Sequence, residues 1–138
     1  MSKAFVVVAL AMVLFNGCAT AAIPYQQPVG LLWGYTEDSP VRSDIGRTVA
    51  ASKTKEQCEL SLDNARKQPN AANARYSECR QLAFGSGDAY WAFTFPPHIL
   101  IATAVATVNR QTCERSRDVI AKSGVALSPC TLTSLEFK

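Results

Sequence analysis

Four cysteines, Cys58, Cys79, Cys113 and Cys130, are the residues of this chain best suited to chemistry, and their spacing decides which chemistry it is. A redox pair uses a close C-x-x-C with a depressed thiol pKa, and a zinc site uses C-x2–4-C pairs with further ligands. Neither spacing occurs, and His98 is the only histidine. What remains is two structural disulfides, which belong to an oxidising compartment. Of the three possible connectivities, Cys58–Cys79 and Cys113–Cys130 are expected, because each joins the first turn of a predicted helix to the strand after it. The helix from Cys58 to Lys67 covers about 13 Å. The residues beyond it can retrace that distance at up to about 3.3 Å each.

The other candidate constellations read as structure. Glu59 with Asp63 and Glu114 with Asp118 are spaced i, i+4 and recur in a shared C-E-x-S-x-D, Cys58–Asp63 and Cys113–Asp118. Paired carboxylates do acid–base work when burial separates their pKa values. Here they fall in the opening turns of helices, where negative charge suits the dipole, and Ser61 and Ser116 are expected to pack against a sheet. Trp33 with Tyr35, and Trp91 with Phe93, alternate as core-facing strand aromatics do. Asp38, Asp44 and Asp88 are the carboxylates a small glycan hydrolase could use. No G-x-S-x-G, Walker loop, H-E-x-x-H or dinucleotide fingerprint is present. No catalytic residue, cofactor or metal is therefore expected. Without Lys3, thirteen Lys and Arg face eleven Asp and Glu, scattered along the chain, which is too little positive charge for a nucleic-acid partner.

The elements that must position these residues come in two similar halves. Trp33-Gly34-Tyr35-Thr36 is echoed by Trp91-Ala92-Phe93-Thr94, the C-E-x-S-x-D by its second copy, and Cys79 by Cys130, at offsets of 58, 55 and 51 residues. An internal duplication is the expected origin. In the first half, strands at Val29–Thr36 and Arg47–Ser52 flank a connection at Glu37–Gly46. The capping box Thr54-Lys55-Glu56-Gln57 then opens a helix to about Lys67, stopped by Pro69-Asn70. Tyr76–Phe84 returns as a strand before a hairpin turn at Gly85-Ser86-Gly87-Asp88. In the second, strands at Ala89–Phe95 and Ile99–Val108 precede a helix capped by Asn109 and stopped by Ser123-Gly124. Cys130–Phe137 is the closing strand. The fold class expected is α+β: two tandem β-β-α-β units, 22–86 and 87–138, in one compact domain with a mainly antiparallel sheet and two helices, stapled by disulfides. If Cys79 and Cys130 face the helices, then Leu82, Phe84, Leu135 and Phe137 face the other way, so the second sheet face also needs a cover.

Residues 1–21 read as a secretory signal: Lys3, an apolar run Ala4–Phe15, then a small-residue stretch. The run gives roughly 18 Å of helix, short of the about twenty residues a bilayer span needs. Cleavage before Cys18 and cleavage after Ala21 both have a pattern, the second through Ala19-Thr20-Ala21. Leu14-Phe15-Asn16-Gly17-Cys18 resembles the lipobox of bacterial lipoproteins, and that resemblance implies a lipid on Cys18. Ala19 in the following position implies the outer membrane, facing the periplasm; the other cleavage gives a soluble periplasmic or secreted protein. The W…C…C units resemble those of small exported proteobacterial proteins, a likeness that implies no activity. Function is expected to be a non-catalytic envelope interaction module with a protein partner. A periplasmic enzyme inhibitor and a small cell-wall or glycan hydrolase are the alternatives.

Overall fold

The computed structural model describes residues 22–39, 46–69 and 73–138; the signal segment with Cys18, and Asp44, lie outside them. The elements run β1 (Leu32–Asp38), β2 (Arg47–Ser52), α1 (Lys55–Arg66), β3 (Arg75–Tyr76), β4 (Arg80–Thr94), β5 (Ala104–Thr107), α2 (Arg110–Ala121) and β6 (Thr131–Phe137). All strand pairings are antiparallel, so the protein is an α+β domain. One six-stranded sheet has the order β3-β1-β2-β5-β4-β6. It is also closed on itself, because Leu32, Trp33 and Gly34 of β1 pair with Leu82, Gln81 and Arg80 at the start of β4.

The two halves share one register. Trp33 lies opposite Ser52 and Gln81; Trp91 lies opposite Thr107 and Leu132. Carrying the first unit onto the second by 58, 55 and 51 residues reproduces each of these pairs. Between the units, β2 pairs with β5 through Ala50↔Val105 and its neighbours, and β4 pairs with β6 through Phe84↔Leu135. The sheet is continuous across both.

Strand alternation separates two faces. Trp33, Tyr35, Trp91 and Phe93 point to the face that carries the helices. Tyr35, Cys58 and Leu62 form one core there, and Phe93, Cys113 and Leu127 another. The opposite face curls around Leu32, Val49, Leu82, Tyr90 and Leu135 with four alanines, Ala51, Ala92, Ala104 and Ala106. The cover that Leu82, Phe84, Leu135 and Phe137 require is thus the sheet itself.

Four elements depart from the sequence expectation. The segment Tyr76–Phe84 is not one strand: Ser77–Cys79 leaves the ladder, and Ser77 Oγ instead accepts from the Thr36 amide at 2.9 Å. Gly85-Ser86-Gly87-Asp88 is not a hairpin turn. β4 runs straight through it with a register break between Phe84 and Asp88, so the boundary between the units falls inside one strand. Gly85 and Gly87 have φ of +103° and +94°, and a Cβ on Gly87 would come within 2.5 Å of the Leu135 carbonyl oxygen and of Glu136 Cβ. The glycines serve a bulge and a close backbone approach. Finally, the apolar run Ile99–Val108 is strand only at Ala104–Thr107, since β5 has partners over four residues of β2 and four of β4 and no further. β1 likewise begins at Leu32 and not Val29.

Gly34 shows how tight the closure is. A Cβ there would lie 2.3 Å from Leu82 Cδ2 and 2.7 Å from the Ala50 carbonyl oxygen, whereas its register equivalent Ala92 carries a methyl and is fully buried. Gly34→Ala is expected to destabilise the fold by about 1–3 kcal/mol through overpacking, read as a lower midpoint in chemical denaturation. An Ala92→Gly variant should lose only about 1 kcal/mol through backbone entropy and a lost methyl.

Candidate functional site

Both helices begin where their caps dictate. The Thr54 side chain accepts from the Gln57 amide at 3.2 Å, and Asn109 accepts from the Thr112 amide at 2.7 Å. The reciprocal arm of the capping box is not made, because Gln57 Oε1 is buried without a hydrogen-bond partner among the described residues. These starts set Cys58 and Cys113 against the sheet, both fully buried. The disulfides are Cys58–Cys79 and Cys113–Cys130, with Cα separations of 6.1 and 6.2 Å. Each ties the first part of a helix to the residue just before a strand.

Glu59, Glu114 and the two tryptophans are joined in a repeated structural cluster. Lys55 Nζ stands 5.6 Å from the ring centroid of Trp33, and the Arg110 guanidinium 5.3 Å from that of Trp91. Glu114 holds Arg110 at 2.9 Å, and Glu59 lies 4.0 Å from Lys55. Each tryptophan is thereby capped by a cation that an i, i+4 carboxylate steadies. Asp63 and Asp118 line the shallow depressions beside these clusters, of about 440 and 430 Å³, together with Cys79 and Cys130 respectively. Ser61 does more than pack: its Oγ lies 3.2 Å from the Tyr35 hydroxyl. In the second unit Ser116 stands opposite no such phenol, because Phe93 replaces Tyr35.

Two recurring pairs escaped the sequence reading. Ser77 and Ser128 each bond twice to the end of a central strand: Ser77 to Thr36 at 2.9 and 3.0 Å, Ser128 to Thr94 at 2.8 and 3.1 Å. The signal was present as Ser-x-Cys, Ser77-Glu78-Cys79 and Ser128-Pro129-Cys130. The cations over the tryptophans were also legible, as Lys55 and Arg110 three residues before each helical Cys.

The remaining candidates are dispersed. Asp38 is engaged by Arg47 at 3.2 and 3.4 Å, Asp88 is exposed within β4, and His98 is exposed in the β4–β5 loop. The fold gathers none of them with Glu59, Asp63, Glu114 or Asp118 into one depression. Among the described residues no three His, Cys, Asp or Glu side chains come together as metal ligands. No family model, curated protein or solved structure matches the chain.

The one strongly perturbed titratable group is structural. Burial, and then the Glu37 carboxylate at hydrogen-bond distance, push the Tyr76 phenol up to about 12. Tyr35 is raised as well, chiefly by burial. An unfolded tyrosine ionises near 10, so the contribution of Tyr76 is complete below that pH. It is lost as pH rises from 10 towards 12, where only the unfolded chain has released the proton. The melting temperature should therefore fall over this alkaline range, and Tyr76→Phe should reduce the slope. A slope unchanged by that substitution would show that Tyr76 ionises as it does in the unfolded chain.

For the disulfides, Cys113→Ser with Cys130→Ser should cost about 3 kcal/mol in the loop-entropy model. The corresponding change at Cys58 and Cys79 should cost a similar amount, by denaturant titration of the oxidised proteins.

Proposed function

We propose that this chain is an exported, non-catalytic binding module of the cell envelope, held at a membrane by lipid on Cys18. The observation that carries the reading is how the reactive side chains are used. The cysteines are paired, Glu59 and Glu114 steady the cations over Trp33 and Trp91, Ser61 bonds to Tyr35, and Asp38 bonds to Arg47. The fold also leaves apolar side chains in solvent, among them Leu100 and Val29. An exposed apolar patch on a small stapled scaffold marks a contact surface.

Two disulfides point to an oxidising, exported environment. Among the described residues no helix is long and apolar enough to cross a membrane. The tether is then the lipid, on the resemblance of Leu14–Cys18 to a lipobox. The matched registers of the two units support an internal duplication as the source of the scaffold.

Intact mass of the mature protein from its native-type host tests the reading, before and after reduction with thiol alkylation. The expected result is an acylglyceryl mass on Cys18, with four alkylatable thiols appearing only after reduction. A mature chain beginning at Ala22, or free thiols before reduction, would remove the tether or the stapled scaffold respectively. Release of product from glycan strands by the purified protein, abolished by Asp38→Asn, would overturn the non-catalytic assignment.

A further inference from the structure

The loop between β4 and β5 does something its composition does not predict. Its sequence, Pro96-Pro97-His98-Ile99-Leu100-Ile101-Ala102-Thr103, is apolar enough to read as a buried strand, yet Leu100 is 70% exposed and Ile101 38%. The loop is held in this presentation. The Phe95 amide donates to the Thr103 carbonyl at 3.0 Å across its base, and the Ile99 amide donates to the Pro96 carbonyl at 3.1 Å. Ser52 Oγ donates to the Ile101 carbonyl at 2.7 Å, and the Thr103 amide donates to the Ala51 carbonyl at 2.8 Å. These bonds pin the backbone at Ile99 and Ile101, on either side of Leu100.

Beside the loop lies a groove of about 280 Å³ whose apolar lining includes Ile23, Pro24, Pro28, Val29, Pro96 and Pro97. Val29, at 93% exposure, is almost wholly in solvent. Lys53 is the one charged side chain of the lining among the described residues. The amino-terminal segment enters the domain here too, anchored where the Ile23 amide donates to the Leu127 carbonyl at 3.3 Å. Cys18 is five residues upstream of Ile23, a reach of at most about 17 Å.

We propose that the β4–β5 loop and Val29 form a second membrane contact, placing Leu100 and Ile101 in the interfacial zone of an anionic bilayer beside the lipid on Cys18. The described chain begins at this groove, which Ile23 lines, so a lipid on Cys18 keeps this end of the domain within reach of the membrane surface. The charge agrees: Lys53 meets acidic headgroups and the described groove lining adds no carboxylate to repel them. Apolar side chains beside a cation are the chemistry of interfacial binding, and a second contact converts a swivelling tether into a fixed orientation. The orientation rests on the lipid reading, whereas the affinity of the surface does not.

The test uses the full chain processed by its host and reconstituted in vesicles of phosphatidylethanolamine and phosphatidylglycerol. A Leu100→Trp variant is read above the constant signal of Trp33 and Trp91. Its emission should shift to the blue and be quenched by brominated lipid, and it should be shielded from acrylamide. A second arm uses Cys18→Ala, which leaves only cleavage after Ala21. This unlipidated protein should still co-sediment with the anionic vesicles, and Leu100→Asp with Ile101→Asp should weaken that binding about tenfold or more. The double variant must keep both disulfides and its melting transition, which the surface position of the two residues leads one to expect.

An acylated Leu100→Trp protein whose added emission stays red and fully open to acrylamide would overturn the membrane contact while leaving the tether intact. Vesicle binding by the Cys18→Ala protein, with no acyl mass on the wild type, would keep the contact and overturn the tether. A dimer that the Asp substitutions dissociate, with no vesicle binding, would assign the loop to a second copy instead.

Discussion

Closing the sheet through β1 and β4 constrains every residue on its inner face. With Leu32, Trp33 and Gly34 paired to the start of β4 and Trp91–Thr94 at its end paired to β5, four strands form a ring of hydrogen bonds with little room inside. Strand tilt, curvature and interior volume are linked in such a closure, and here four alanines and one glycine make room for Leu32, Val49, Leu82, Tyr90 and Leu135. Ala51, Ala92, Ala104 and Ala106 are buried to the last per cent, and Gly34 has no space for a methyl. Ring formation leaves short edges and supplies a cover for an apolar face that a flat six-stranded sheet would have presented to water.

The outer face carries bulk of its own. The large aromatics Trp33, Tyr35, Trp91 and Phe93 all stand on the helical face, where α1 and α2 cover them. Each helix is only 12 residues long, too short to be stable alone. Its cap, its disulfide and the cation over the tryptophan hold it to the sheet in the same way in both units. Besides the change of Tyr35 to Phe93, the second unit departs where the first buries Leu62: it has Arg117, whose guanidinium donates to the Ser128 and Leu127 carbonyls at 2.7 and 3.2 Å. A hydrophobic contact has been exchanged for hydrogen bonds that fasten the segment leading into Cys130.

Much of this scaffold was legible in the residues. Thr54 and Asn109 announced the helix starts, period-two aromatics announced β1 and the second half of β4, and the placing of one Cys in each first helical turn and one at the following strand led to the right disulfides. The misreadings have a common cause, which is that local patterns carry no record of tertiary pairing. Gly85-Ser86-Gly87-Asp88 has the composition of a turn, yet β6 lies alongside both halves of β4 and keeps the chain going through a bulge. Ile99–Val108 has strand composition over ten residues, but strand length is set by partners, and β2 and β4 offer β5 only four. The Ser-x-Cys repeat marks Ser77 and Ser128, but their partners, Thr36 and Thr94, are distant in sequence, so the repeat by itself does not name the bonds.

The candidate surface lies where the two units stop resembling each other. Around the tryptophans, caps, cysteines and Ser-x-Cys segments, the second unit repeats the first in kind. Between its first two strands the chemistry diverges: the connection after β1 mixes Pro40, Val41 and Ile45 with Ser39, Arg42, Ser43 and Asp44, whereas the one after β4 has Pro96, Pro97, Ile99, Leu100 and Ile101 and no charged residue. Residues needed only for stability should stay alike in two copies of one scaffold, since the same packing problem is solved twice. A connection exposed in an aqueous compartment gains nothing for folding from Leu100 in solvent, and polar residues would serve the turn as well. On the proposed reading the apolar loop answers to a constraint from outside the domain, and the hydrogen bonds at its base hold it near Ile23, where the described chain begins.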